Sequence, residues 1–357
     1  MGAISADVPQ TRTRPDPLPE SRFTEADLAL IEALQAAPRA SWSQIGHALR
    51  LDATTVARRW ERLRAAGLAW TTAYYSARTM SVAFVEVRCR PQALEAVSAT
   101  AAGLPWVFTV DETAGDFDLL LSVASTDLTT LGRWIRRDIG GIDGVRSACT
   151  RIGITLYSEG SDWRLRALEP ARLAELSGPR PPRRHAYGTR RHELPSAQDQ
   201  AMLAALGADG RVGYTALGAA AGISEHTARR RLHRMVHDGD ITLRCDLAYP
   251  LAGLPTMIIY RMTVPHAELE HTGRNLARMN NIRLCASVSG PHNLMVQVLL
   301  HGLHGVDEFE GGLVRDFPSL RVEDRTVTLR AVKRLGWLLD DSGRAIRHVP
   351  LEPPQTW

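Results

Sequence analysis

Residues 224–239 read SEHTARRRLHRMVHDG, and residues 52–67 read DATTVARRWERLRAAG. Each stretch opens on a side-chain oxygen, from Ser224 or Asp52, that can accept an otherwise orphan first-turn amide. Each closes on a glycine, which takes a left-handed conformation without steric cost. Ala228, Leu232 and Met235 fall at i, i+4 and i+7, as do Val56, Trp60 and Leu63, so each helix has one narrow apolar edge. The outer face of the later helix is His226, Arg229, Arg230, His233, Arg234 and His237. A short capped helix with a cationic outer face suits the major groove of DNA. Alone, it is equally a solvated basic surface helix.

The two stretches belong to a longer repeat. A shift of 172 residues superposes 27–67 on 199–239 without a gap, with 13 of 41 positions identical, among them Asp27/Asp199, Leu34/Leu206, Arg39/Arg211, Gly46/Gly218, Thr55/Thr227, Arg58/Arg230, Arg59/Arg231 and Arg62/Arg234. The chain reads as a tandem duplication. Ahead of the first reading helix, Leu30, Ile31 and Leu34 mark a helix capped by Thr24, and a shorter one after Ser41 buries Ile45 and Leu49. Three short helices with a tight turn before the third read as a helix-turn-helix.

A second kind of segment follows each unit. In the first copy a strand at 81–89, a helix at 92–102, strands at 105–112 and 117–124, a helix around 127–139 and a strand near 145–157 give the order βαββαβ. The second copy repeats it with a strand at 256–264, a helix from His266, strands at 282–289 and 293–300, a helix at 305–317 and a strand at 321–330. The fold class is therefore α+β, two copies of a helix-turn-helix followed by a ferredoxin-like domain. Leu119, Leu121 and Val123 alternate with Leu120, so the sheet is apolar on both faces and calls for sheet-to-sheet association. The expected boundaries are a disordered leader at 1–21, a helix-turn-helix at 22–75, a ferredoxin-like domain at 76–165 and a linker at 166–193. A second helix-turn-helix at 194–248, a second ferredoxin-like domain at 249–340 and a loose tail at 341–357 complete the chain.

Composition narrows the function. The 357 residues are 44% hydrophobic and 23% charged, ordinary for a soluble protein, and carry a net charge of +4 with an isoelectric point near 9.1. Lys333 is the sole lysine; arginine supplies the planar fork that fits phosphate and guanine edges. Cys89, Cys149, Cys245 and Cys285 have no CxxC spacing, and His292, His301 and His304 lack the helical pairing of a metal site, so neither metal nor cofactor is expected. Without a signal peptide or membrane span, a cytoplasmic protein with no membrane partner is expected.

The ordered set of Asp27, Leu34, Arg39, Thr55-Val56-Ala57-Arg58-Arg59 and Leu63–Gly67 recurs as Asp199, Leu206, Gly210-Arg211, Gly222-Ile223-Ser224, Thr227–Arg231 and Gly239-Asp240-Ile241. With the turn Gly115-Asp116-Phe117-Asp118-Leu119, it resembles the Lrp/AsnC, or feast/famine, family of transcriptional regulators over most of 23–158 and 194–330. The resemblance implies a non-enzymatic, sequence-specific regulator of double-stranded DNA whose ferredoxin-like (RAM) domain senses a small molecule such as an amino acid. Two copies imply a pseudo-dimer within the chain, with homo-oligomers through the ferredoxin-like sheets. Helix-turn-helix half-sites lie about one turn, ~34–36 Å, apart.

The DNA-contact candidates are Thr54, Thr55, Arg58, Arg59 and Arg62, with His226, Thr227, Arg229, Arg230, Arg231 and Arg234. For Arg59 and Arg231 a salt bridge holding the domain together is nearly as good a reading. The denser charge predicts that the second reader binds more strongly. The effector-contact candidates are Gly115 and Asp118, with Gly290 and Asn293 as weaker counterparts; hairpin chemistry alone also accounts for them. Arg50 stands where the second copy has Gly222, at a cost of roughly 1–2 kcal/mol if left-handed, which predicts a different or weaker first turn. Two alternatives remain: an enzyme like the sirohaem decarboxylases, which share this plan but whose aromatic-and-arginine motif is missing ahead of Asn293-Leu294, and a metabolite-binding or assembly module without DNA binding.

Overall fold

The computed structural model describes residues 23–176, 185–186 and 196–351. The expected leader and most of the expected linker lie outside them. The first copy comprises α1 (Glu25–Ala36), α2 (Trp42–Leu49), α3 (Ala53–Ala65), β1 (Ala69–Tyr75), β2 (Ser81–Cys89), α4 (Leu94–Gly103), β3 (Val107–Ala114), β4 (Leu119–Ser125), α5 (Leu128–Trp134, continued by a π-helical turn Ile135–Ile139) and β5 (Val145–Ser158). α6 (Pro170–Leu176) and the short β6 (His185–Ala186) follow. The second copy comprises α7 (Ala197–Ala208), α8 (Tyr214–Ala221), α9 (Glu225–His237), β7 (Ile241–Leu247), β8 (Thr256–Thr263), α10 (His266–Leu276), β9 (Ile282–Val288), β10 (Leu294–Leu300), α11 (Gly305–Asp316), β11 (Arg321–Arg334), β12 (Trp337–Leu339) and β13 (Ala345–His348).

The two copies are interlocked. β1 and β7 form an antiparallel ribbon, Ala69 opposite Leu247 and Tyr75 opposite Ile241. The ribbon carries each helix-turn-helix across to the other copy. The first packs Ile31, Leu34 and Trp60 against Leu247, Leu251 and Met257, while the second packs Leu206, Leu232 and Met235 against Ala73, Met80 and Ala124. The long last strands exchange partners in the same way. β5 begins on β2 and ends on β9, and β11 begins on β8 and ends on β3. The eight strands thus close into a ring in the order β11-β3-β4-β2-β5-β9-β10-β8, returning to β11.

Closure explains the two-faced strands. Leu119, Leu121 and Val123 pack against the helices of the first copy, while Leu120, with Phe84 and Phe117, faces Ile259, Ala286 and Met295 of the second. The sheet faces expected to recruit another chain are therefore covered within this one. This corrects the expectation of a homo-oligomer through those faces, because strand exchange leaves them no free apolar area. At the pseudo-two-fold axis the ring breaks its own symmetry. β2 starts at 81 and β8 at 256, an offset of 175, so Glu86 and Arg261 are counterparts, and they meet as an ion pair at 3.3 Å. A true homodimer would place Glu against Glu, or Arg against Arg, at this point.

Two boundary expectations change. Residues 163–176 do not leave the domain. Gln35 accepts from the Leu165 amide at 3.2 Å and the buried Glu32 from the Leu168 amide at 2.6 Å, and Leu176 packs on the first helix-turn-helix core. The tail is ordered through residue 351: β13 pairs with β12, and Val349 and Leu351 are buried.

Candidate nucleic-acid interface and effector site

The reading helices have the caps their sequences call for. Asp52 accepts from the Thr55 amide at 2.8 Å and Ser224 from the Thr227 amide at 3.2 Å. The buried edges are Val56, Trp60 and Leu63 on α3 and Ala228, Leu232 and Met235 on α9. Thr54, Arg58 and Arg62 are exposed on α3, as are His226, Arg229, Arg230 and Arg234 on α9, whereas Thr55, Arg59, Thr227 and Arg231 are half-buried.

The candidate arginines divide into two sets. Arg59 donates to Asp27 at 2.9 Å and to Thr24 at 3.3 Å; its counterpart Arg231 donates to Asp199 at 3.1 Å and to Ser196 at 3.2 Å. Both tie the third helix to the first, the structural role weighed for them above. Arg62 also donates to Asp27, at 2.6 Å. Burial opposes ionisation of Asp27, but the Thr24 amide, Arg62 and Arg59 outweigh it and hold the carboxyl below its usual range. Arg58, Arg229, Arg230 and Arg234 have no ion pair among the described residues, and Arg229 lies 5.7 Å from the Tyr214 ring centroid. On α3, by contrast, Glu61 occupies Arg64 at 2.7 Å. The second reader therefore presents three unpaired arginines and the first presents one.

The turns before the readers share one geometry. Arg50 sits at φ 56°, ψ 41° and Gly222 at φ 64°, ψ 34°. The first turn therefore does not differ in shape as expected; it adopts the left-handed conformation with a side chain in place.

A feature the sequence offered only as an unexplained identity joins the two units. Arg39 donates to the carbonyls of Gly210 and Val212 at 2.7 and 3.0 Å, and Arg211 to those of Pro38 and Ala40 at 2.6 and 2.9 Å. Arg211 stacks 3.8 Å from the Trp42 ring centroid and Arg39 4.9 Å from that of Tyr214. Burial, with Arg39 close by, pushes Arg211 down to about 10. This reciprocal clasp, with the β1/β7 ribbon, fixes the readers relative to each other.

The effector-turn candidates lie where the two ferredoxin-like units meet. Gly115 (φ 139°) faces Thr326 of β11, and Gly290 (φ 112°) faces Arg151 of β5. Asp118 accepts from the Cys89 amide at 2.6 Å. Asn293 accepts from the Val264 amide at 3.1 Å and donates to its carbonyl at 2.7 Å. Both side chains stitch the turn to the neighbouring strand, and the amide makes two bonds there. His301 donates to or accepts from its surroundings through Nδ1, 2.8 Å from the Gly253 carbonyl, and no metal-binding cluster exists among the described residues. No described helix is long and apolar enough to cross a membrane.

A cavity of about 100 Å³ lies between the two sheets, under the ribbon. Tyr74, Phe84, Phe108 and Leu156 line it from the first copy, and Arg244 and Arg283 from the second. Beyond Tyr74 and Tyr75 an open cleft of about 680 Å³ separates the helix-turn-helix units from the ring, and the two spaces share Ala77, Leu156 and Glu159. Sequence reasoning missed this site because its residues come from six separate strands and loops.

Comparison with known proteins agrees with this architecture. The AsnC-type helix-turn-helix domain matches residues 23–64 and 196–236, and the Lrp/AsnC ligand-binding domain matches 82–161. An uncharacterized HTH-type transcriptional regulator of Pyrococcus abyssi is 31% identical over 140 residues, 39% of this chain and 88% of its own length. The HTH-type transcriptional regulator LysM of Saccharolobus solfataricus is 32% identical over 131 residues, 36% of this chain and 92% of its own. Among solved structures, the sirohaem decarboxylase NirDL in complex with an iron-uroporphyrin III analogue aligns with a TM-score of 0.58 at 13% identity, covering 87% of this chain and 93% of that one. That likeness shows a shared fold spanning both copies. With two AsnC-type helix-turn-helix domains, each followed by a ferredoxin-like unit, the chain belongs to the Lrp/AsnC family.

Proposed function

We propose that the protein is a sequence-specific, ligand-responsive transcriptional regulator that binds double-stranded DNA as a single-chain pseudo-dimer with unequal readers. The observation that carries this reading is the unpaired arginine face of α9, held in a fixed frame with α3 by the Arg39/Arg211 clasp. Unpaired, exposed guanidiniums on a capped helix provide phosphate contacts and a fork for guanine. In this reading Arg230 and Arg58 reach base edges, Thr55 and Thr227 meet phosphate at the helix N-termini, and Arg59 and Arg231 position their helices. Two unequal readers suit an imperfect palindrome. Selection of bound sequences from a random duplex pool tests this directly. The expected product is two dissimilar half-sites about one helical turn apart; a pool that never enriches would refute it.

A second reading is an enzyme acting on a tetrapyrrole, favoured by the whole-chain likeness to the sirohaem decarboxylase. The cavity of about 100 Å³ cannot take a macrocycle, so the open cleft would have to serve. Tight binding of iron-uroporphyrin, seen as a shifted visible absorption band, would favour that reading; an unshifted spectrum with DNA binding intact favours the regulator.

A further inference from the structure

The cavity between the sheets is bordered by an unusual charge cluster. Arg244, Arg283 and Arg334 are each at most 5% exposed, and they face the fully buried Asp111 and Asp246 and the phenol of Tyr249. Three guanidiniums thus meet two carboxylates. Arg334 reaches Asp111 at 3.0 Å and Arg244 reaches Asp246 at 2.9 Å, but Arg283 stands 3.6 Å from Asp246. Arg244 Nε, Arg283 Nη2 and both Nε and Nη1 of Arg334 have no hydrogen-bond partner. Burial pushes the Asp111 carboxyl up against the pull of Arg334 and Arg283, which leaves still less negative charge to balance the arginines. A buried donor without a partner costs about 1–3 kcal/mol, and more when charged.

The cluster is also one-sided. All three arginines come from the second copy. Their counterparts in the first, 172 residues earlier on the ribbon and 175 in the sheets, are Thr72, Phe108 and Glu159. One wall of the cavity is therefore apolar and aromatic, with Tyr74, Phe84 and Phe108, and the other carries Arg244 and Arg283. Divergence between the copies has built one polarised site where a symmetric dimer would have two equal halves.

We propose that this cavity binds a small carboxylate with an apolar body, its carboxylate on Arg244 and Arg283 and its body against Phe84 and Phe108. The ligand completes the charge balance that the two buried carboxylates leave unfinished. Because Tyr74 and Arg244 belong to the ribbon that carries both readers, occupancy bears directly on their relative placement. Only this last consequence rests on the regulator reading.

Gly160 provides a gentle test. A Cβ there would sit 2.3 Å from Arg244 Nη1, so Gly160→Ala displaces the guanidinium without removing its charge. Titration calorimetry of the full chain would use 4-methyl-2-oxopentanoate, L-leucine and 4-methylpentanol as probes. At least one of the two carboxylates is expected to bind, the alcohol is expected not to, and Gly160→Ala should weaken binding tenfold or more with an unchanged circular dichroism spectrum. Arg283→Met should abolish binding, and Phe108→Trp, which fills the cavity and keeps every charge, should do the same. No binding of either carboxylate at 10 mM, equal binding of the alcohol, or unchanged affinity in Gly160→Ala would overturn the site. DNA binding measured on the same samples separates the two claims. Loss of the site with DNA binding intact refutes the cavity alone, and carboxylate binding without DNA binding refutes the regulator and leaves the cavity standing.

Discussion

Replacing Arg211 by alanine opens half of the clasp between the helix-turn-helix units. The side chain makes two hydrogen bonds to carbonyls, at 2.6 and 2.9 Å, and stacks 3.8 Å over Trp42. A hydrogen bond to a charged group is worth about 1.5–3 kcal/mol, and a partly desolvated cation–π contact adds about 0.5–2. The gross loss is roughly 4–8 kcal/mol. Returning a half-buried guanidinium to water recovers part of it, so a net loss of about 2–4 kcal/mol is expected. Each unit keeps its own apolar core and its hold on the opposite copy, so the loss falls on their relative placement rather than on folding. Fluorescence anisotropy on a selected operator, with half-site spacing varied in single base pairs, reads this out. The wild type should prefer one spacing sharply; Arg211→Ala should bind that spacing at least tenfold more weakly and discriminate less among the others. Arg39→Ala should do the same, and the double variant should cost less than the sum, because the two halves of the clasp support each other. An Arg39→Ala/Arg211→Ala protein with wild-type spacing preference would refute the clasp as the device that sets reader geometry.

Four further outcomes follow from single contacts. Glu86→Arg places a third arginine beside Arg261 and Arg151 and should cost about 3–5 kcal/mol in thermal denaturation; the exchange Glu86→Arg with Arg261→Glu should recover much of it. Arg50→Gly removes left-handed strain at φ 56° and should raise stability by up to about 1 kcal/mol, measured as a higher melting temperature. Asp27, depressed in the folded state, contributes stability that is present above its unfolded value of about 3.9 and lost as pH falls through the folded value. Hydrogen exchange in α1 and α3 should therefore accelerate below pH 4, and not in Asp27→Asn, which should be destabilised at pH 7. Lys333 is pushed down to about 7, mainly by burial with Arg347 adding to it. The unfolded chain then holds a proton that the folded chain has released between pH 7 and about 10.4, so stability should rise over that window; Lys333→Met should flatten the rise.

The sequence exposed what is local and periodic. The caps Asp52 and Ser224, the apolar edges of the readers and the alternation at Leu119–Val123 follow from spacing alone, and they placed the helix-turn-helix and ferredoxin-like units. The ribbon escaped because β1 is buried on both faces, so its residues 69–75 show no alternation to read. The interlocking escaped for another reason: which sheet covers which face is decided by strands β5 and β11 changing partners midway, and periodicity does not record a partner. Arg39 and Arg211 stood out as identities, but their purpose appears only when each meets the other's turn. The effector-turn residues were legible as a hairpin. The charged cavity was not, because Arg244, Arg283 and Arg334 converge from β7, β9 and β11, three strands far apart in sequence.

The account turns on two unequal readers in one frame, and salt-dependent DNA binding of Arg58→Ala and Arg230→Ala tests that most directly. Affinity of the wild type should fall linearly with log salt. Arg230→Ala should weaken binding by about 1–3 kcal/mol, more than Arg58→Ala, with the slope reduced by about one if the contact includes phosphate. Equal effects of the two substitutions, or wild-type affinity and slope in Arg230→Ala, would contradict it.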